Sequence, residues 1–201
     1  MIVGQKVRFR RPESRGTDHE TLVRWRNDPS VKRLFFEEEP ISLDSHLAWY
    51  DKVSQDPTQR FYVIDALVQP DPLASPCDPP LLIGSISLAN IDWRNRTAEW
   101  GRFLIGHPDY LGGGYGKEAG FLLMDYAFGH LNMNKIWSDV IAGNAIVLSV
   151  LRLLGFKEEG VLRQQVFKGG RYIDVVRLGL VARDFRGLRD EQCRRLGLER
   201  D

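Results

Sequence analysis

The stretch Leu111-Gly112-Gly113-Gly114-Tyr115-Gly116-Lys117-Glu118-Ala119 constrains this chain more than any other. It stands between a strand-like run, Trp100 to Ile105, and a long amphipathic run, Phe121 to Leu131. Glycine allows backbone turns with φ > 0 and lets a ligand come close to the main chain. A helix that opens directly behind such a loop aims unpaired N–H groups and a positive dipole end at one point. That arrangement binds an anion, typically a phosphate or diphosphate. A glycine run also suits a plain surface turn that caps a helix, so the surroundings must decide. Two nucleotide motifs fail. In Gly-x-x-x-x-Gly-Lys-Ser/Thr the first Gly falls on Leu111 and the hydroxyl on Glu118, and in Gly-x-Gly-x-x-Gly the third Gly falls on Lys117.

The periodicity on either side gives a mixed fold. Val3 to Arg10 alternates as a half-buried strand, and Thr17-x-x-Glu20 reads as a capping box opening a helix that ends near Asn27-Asp28-Pro29. Ser42 opens a second helix with Leu43, Leu47, Tyr50 and Val53 on one side. Strands follow over Arg60–Val68, Leu81–Ile91 and Thr97–Ile105, the first two separated by the proline-rich loop Gln69–Pro80. A helix from about Gly114 to Leu131 leads to a strand at Lys135–Ala142. Asn144 then opens a helix closed by Gly155. Phe156–Phe167 and Tyr172–Val181 form a last pair of strands around Gly169-Gly170, which suits a two-residue hairpin. The expectation is a single α/β (α+β) domain over residues 7–182. Its mixed sheet has about seven strands flanked by about four helices, and a charged tail, 183–201, carries a short, loosely attached helix.

Composition narrows the function. With 43% hydrophobic residues in 201, one core can be buried, and 28 Lys and Arg against 27 Asp and Glu leave a net charge of +1. There is no basic excess for nucleic acid, no apolar signal segment and no stretch long enough to span a bilayer. Cys77 and Cys193 lie far apart, and His19, His46, His107 and His130 show no metal-ligand spacing. These features predict a cytoplasmic protein without a metal and without a nucleic-acid or membrane partner, and leave a homodimer open.

Two motifs carry a resemblance. The glycine segment Leu111–Gly116 is similar to the pyrophosphate loop Gln/Arg-x-x-Gly-x-Gly/Ala. Asn144 with Leu154-Gly155-Phe156 matches Asn-x-x-Ser-x(several)-Leu-Gly-Phe. Together, in this element order, the chain resembles the GNAT superfamily of acetyl-CoA-dependent N-acetyltransferases. Trp25-Arg26-Asn27-Asp28, Ile41-Ser42 with His46 and Trp49-Tyr50, and Ala98-Glu99-Trp100-Gly101 look like its branch of ribosomal-protein and aminosugar-nucleotide acetyltransferases, with a lean towards the aminosugar enzymes. The resemblance implies direct transfer of acetyl from acetyl-CoA to a primary amine, on an aminosugar nucleotide, a small molecule or a peptide N-terminus.

It also implies a site. Leu111, Gly112, Gly113, Gly114, Tyr115, Gly116 and Lys117 would hold the diphosphate, while the backbone of Phe103, Leu104 and Ile105 and the side chain of Asn144 would hold the pantetheine arm. Asn144 is equally a good N-cap. Glu99 is the candidate general base, acting through a water, since amines arrive protonated at neutral pH. A solvated strand charge is the alternative for it. Trp25, Arg26, Asn27 and His46 are candidate acceptor contacts, Arg26 suiting a phosphate-bearing acceptor through its fork of donors. Two departures stand out. Leu111 replaces the usual Gln or Arg, and Leu151 occupies the position of the Tyr that commonly protonates the leaving thiolate. Tyr110 and His107 are conceivable substitutes. With Leu at the acid position, a catalytically impaired acyl-CoA-binding sensor or scaffold is the competing reading.

Overall fold

Strand alternation and helical periodicity sort the chain into eight strands and six α-helices, with two short non-α turns of helix at Pro108–Tyr110 and Tyr126–His130, in the computed structural model, which describes residues 2–13, 16–70, 76 and 79–198. They are β1 (Ile2–Val3), β2 (Val7–Arg10), α1 (Thr17–Asn27), α2 (Pro29–Lys32), α3 (Leu43–Gln55), β3 (Arg60–Ala66) and β4 (Leu81–Asp92). After these come β5 (Thr97–Ile105), α4 (Tyr115–Asp125), β6 (Lys135–Ile141), α5 (Ala145–Leu153), β7 (Lys157–Lys168), β8 (Arg171–Val181) and α6 (Ala182–Leu196). The strands form one mixed sheet in the order β1-β2-β3-β4-β5-β6-β8-β7. Every pairing is antiparallel except that of β5 with β6.

Because successive strand residues face opposite ways, β3 divides two apolar layers. Phe61 and Val63 join Leu22, Trp25, Tyr50 and Val53 of α1 and α3 on one face. Ile64 and Ala66 join Ala119, Phe121, Leu123 and Met124 of α4 in the larger core on the other. Among the described residues no helix is long and apolar enough to cross a membrane.

Four details differ from the sequence reading. The sheet has eight strands rather than about seven, because Val3–Arg10 is broken at a turn in which the Gly4 N–H donates to the Val7 carbonyl (2.8 Å), pairing Ile2 with Phe9. Six α-helices replace about four, the short α2 being set off by Asp28, which accepts from the Ser30 N–H (2.8 Å), and by Pro29. The Thr17 capping box does not form: Gly16 is the N-cap, and Asp18 turns to Arg10 at 2.6 and 2.9 Å. Finally, the stretch after Val181 is a fifteen-residue helix anchored by buried Phe185, whose ring lies 5.0 Å from Phe128 and 5.8 Å from Phe121. Most of the proline-rich loop, with Cys77, lies outside the described residues.

Candidate active site

The parallel pair β5–β6 is in register over only Thr97↔Lys135, Ala98↔Ile136 and Glu99↔Trp137. Beyond Glu99 the strands part, so the β6-facing backbone of Trp100–Ile105 has no ladder partner. A cleft of about 920 Å³ occupies the opening. The half that the sequence reading assigns to the acetyl donor, the expected donor half, is lined by Phe103, Leu104 and Ile105 of β5, by Leu111, Gly112, Gly114, Gly116 and Lys117 of the glycine loop, and by Asn144.

Local rules explain why the loop takes this shape. Gly114 is the N-cap of α4 in the left-handed region (φ +86°), where a residue with Cβ is strained. Gly112 also has positive φ (+83°) and faces open space. The first intrahelical bond runs from the Glu118 N–H to the Gly114 carbonyl (3.0 Å), so the N–H groups of Tyr115, Gly116 and Lys117 open the helix. The loop is tied to β2 and to the turn before it. Lys6 Nζ donates to the Gly113 carbonyl (2.9 Å), and the buried Glu118 carboxylate accepts from the Lys6 N–H (2.8 Å) and Val7 N–H (3.3 Å). Gly113 and Tyr115 do not border the cleft; the Tyr115 ring is buried and its hydroxyl donates to the Val68 carbonyl (3.2 Å). Asn144 is both cap and lining residue, its Oδ1 accepting from the Val147 N–H at 3.2 Å.

Leu-Gly-Phe is a helix stop. Gly155 has φ +95°, the Phe156 N–H reaches the Leu151 carbonyl (3.0 Å) and the Gly155 N–H reaches Arg152 (3.0 Å), as in a Schellman motif. Leu151 is fully buried in the large core and does not border the cleft. Of the two other candidate acids, Tyr110 lines the cleft and His107 does not.

The other half, the expected acceptor half, is made of side chains. Ala98 and Trp100 point into the α4 core, so Glu99 between them faces the side of α1 and α3 and lines the cleft. Asn90 Nδ2 donates to its Oε2 at 2.6 Å. Burial pushes the Glu99 carboxyl above its ordinary range, against the pull of Asn90 and Arg102. Asp139 on β6 also lines the cleft and is held bidentate by Arg177 at 2.8 and 2.6 Å.

Of the acceptor residues read from sequence, only Arg26 borders the cleft. Its guanidinium lies 3.9 Å above the Phe35 ring and pairs with Glu37 (2.9 Å), while its Nε is buried with no hydrogen-bond partner. Trp25 is buried against the backbone of Gly106. Asn27 clasps Ile41 through both ends of its amide, at 2.7 and 2.8 Å. His46 is buried with Nε2 3.1 Å from Nδ1 of His19, and burial, His19 and Arg26 push it down to about 4. Of these three, Trp25 belongs to the apolar cluster against which Phe35 packs.

Sequence reasoning missed Arg102, Ser87, Phe35 and Glu37. The Phe35–Glu37 segment is pinned from the far side of the cleft by Lys168, whose Nζ donates to the carbonyls of Lys32 (2.8 Å), Phe35 and Glu37 (3.0 Å). Arg102 sits at φ +48° in a β-bulge, where Ser85↔Leu104 and Ser87↔Gly101 pair across unequal spacings. A signal was present: continuing the alternation of Ala98 and Trp100 would bury a guanidinium in the α4 core, which only a bulge avoids.

A protein-family model described as an acetyltransferase (GNAT) domain matches residues 6–157. The spermidine N(1)-acetyltransferase of Escherichia coli K12 is 32% identical over 152 residues, covering 76% of this chain and 74% of the relative. A putative ribosomal N-acetyltransferase of Bacillus subtilis is 30% identical over 156 residues, covering 78% and 80%. The crystal structure of the Vibrio cholerae spermidine N-acetyltransferase in complex with CoA and spermine superposes with a TM-score of 0.77. It is 27% identical, over 90% of this chain and 98% of that one.

Proposed function

The chain belongs to the GNAT acetyltransferase family, and on that premise we propose that it passes the acetyl group of acetyl-CoA directly to a primary amine in a ternary complex. The observation that carries this reading is the parting of β5 from β6 after three residue pairs, directly beside a helix opened by Gly114. Acetyl-CoA supplies the activated acyl group. The N–H groups of Gly116 and Lys117, both bordering the cleft, would bind its diphosphate. The unpaired backbone of Phe103–Ile105 and the Asn144 amide would align its pantetheine arm, which is the positioning term in catalysis.

Glu99 first takes a proton from the incoming ammonium through a water, freeing the lone pair of the amine, and its burial-raised pKa moves it towards the working pH of a base. As nitrogen bonds to the acyl carbon, the carbon–sulfur bond breaks, and the proton that nitrogen then sheds is taken up by the departing thiolate, directly or through water. A thiol with an ordinary pKa of about 8.5 is a competent leaving group without a strong acid, which fits a buried Leu151. Spermidine, the acceptor in the names of two relatives, and peptide N-termini are the first amines to test. Thiol release from acetyl-CoA should appear with at least one of them. Tight acetyl-CoA binding with no release on any amine would instead support a non-catalytic binder.

A further inference from the structure

The charges that face the acceptor half of the cleft are not equally satisfied. Glu37 has Arg26, Asp139 has Arg177, and Glu99 has the amide of Asn90. Arg102 has no carboxylate within ion-pair distance among the described residues. Its Nη1 meets only the neutral oxygens of Gln59 (3.1 Å) and Ser87 (3.3 Å), with the guanidinium 5.2 Å from the Trp49 ring. The residue is half-buried, Glu99 and Glu37 act on it only from beyond ion-pair distance, and a guanidinium taken out of water without a carboxylate in contact is costly. A site that keeps one is built for an anion that arrives with the ligand.

The backbone is arranged to put it there. The bulge turns Arg102 out of the α4 core and into the cleft at the cost of a left-handed conformation for a residue with a side chain. The carbonyls of the bulge are not abandoned. Buried Ser85 donates to the Arg102 carbonyl (2.9 Å) and buried Ser87 to the Gly101 carbonyl (3.0 Å). Arg26, on the same wall of the cleft, keeps a buried Nε without a partner.

We propose that Arg102, assisted by Arg26, forms an anion subsite, and that the acceptor is a primary amine that also carries a carboxylate or a phosphate. The inference rests on the N-acetyltransferase reading above. The amine of such a molecule meets Glu99 while its acid group meets the guanidinium fork, which pairs with carboxylate and phosphate alike. A polyamine offers Arg102 only like charge. Apart from Lys117 of the glycine loop, three cationic side chains (Arg26, Arg33, Arg102) line the cleft with three carboxylates (Glu37, Glu99, Asp139), which lacks the negative excess that a pure polycation calls for.

The test pairs each acid-bearing amine with its neutral counterpart: alanyl-alanine with its C-terminal amide, glucosamine 6-phosphate with glucosamine, and spermidine alone. In the wild type, kcat/KM for at least one acid-bearing member should exceed that of its neutral partner by about tenfold or more, and exceed that of spermidine. Which pair shows the ratio separates carboxylate from phosphate. Arg102→Gln should bring the ratio to about one, and Arg102→Lys, which keeps the charge but not the fork, should restore part of it. Thermal unfolding of both variants checks that they fold.

Equal rates within both pairs, a ratio that survives Arg102→Gln, or spermidine as the best acceptor overturns the proposal. If no amine releases thiol, the enzyme reading fails separately. Calorimetric titration of the same pairs onto the CoA-saturated protein then decides: tighter binding of an acid-bearing member that Arg102→Gln abolishes supports the subsite, and equal binding overturns it.

Discussion

The two halves of the cleft are built from different material. The donor half is mostly main chain: N–H groups at the head of α4, a left-handed glycine, and a strand edge freed by the parting of β5 and β6. The acceptor half is side chains held by other side chains. Arg26 rests on Phe35 and Glu37, the Phe35 loop on Lys168, and Arg102 on a bulge whose carbonyls Ser85 and Ser87 satisfy. A main-chain site binds what is common to every reaction of such an enzyme, and side chains can be exchanged to change the acceptor without disturbing it. Each half should therefore fail separately under mutation.

The largest effect belongs to the donor half. Gly114→Val forces a β-branched residue to φ +86° at the head of α4 and should weaken acetyl-CoA binding by about a hundredfold or more. Calorimetry that returned the wild-type affinity would remove the loop from the account. In the acceptor half, Glu99→Gln should lower kcat by about 10²–10³ while leaving acetyl-CoA affinity within error. A matching loss of affinity would mean that the halves are not independent.

His46 sharpens the comparison through stability. Its folded pKa is depressed to about 4 from an ordinary 6.5, so between those values the unfolded chain binds the proton that the folded chain refuses. Stability is therefore full above about pH 6.5 and lost as pH falls towards 4, by up to about 3 kcal/mol. Denaturant midpoints measured across that window should shift in the wild type and shift less in His46→Phe. Parallel shifts in both would assign the acid sensitivity elsewhere. Smallest is Ser87→Ala, which removes a buried donor to Gly101. It should cost about 1–2 kcal/mol and raise acceptor KM without changing acetyl-CoA affinity; the reverse pattern would place the bulge in the donor half.

The same contrast explains what could be read from the sequence. The opening of α4 at Gly114, the Asn144 cap and the Leu-Gly-Phe stop are local devices whose partners lie within five residues, so residue type at a fixed spacing reveals them, whereas the ties of the glycine loop to Lys6 and Val7 are distant in sequence. Glu99 was readable as a residue, but its face needed the burial of Ala98 and Trp100. His46 was read as an acceptor contact because its partner, His19, is 27 residues away and invisible to any spacing rule. Thr17 failed as a cap because the helix already includes it, Gly16 taking the N-cap position with no side-chain cap bond. Arg102 escaped notice because a bulge is decided by the register against β4, and an ideal alternation hides it.

The central claim is that Glu99 faces the cleft and works as the base. The pH dependence of kcat/KM for thiol release, measured for the wild type and for Glu99→Gln, tests it most directly. A base must be ionised to act, so wild-type activity should fall on the acid side as pH drops through a pKa above the ordinary carboxylate range. That acid limb should vanish in Glu99→Gln, leaving only the rise set by the amine itself. An identical acid limb in both proteins would contradict the account.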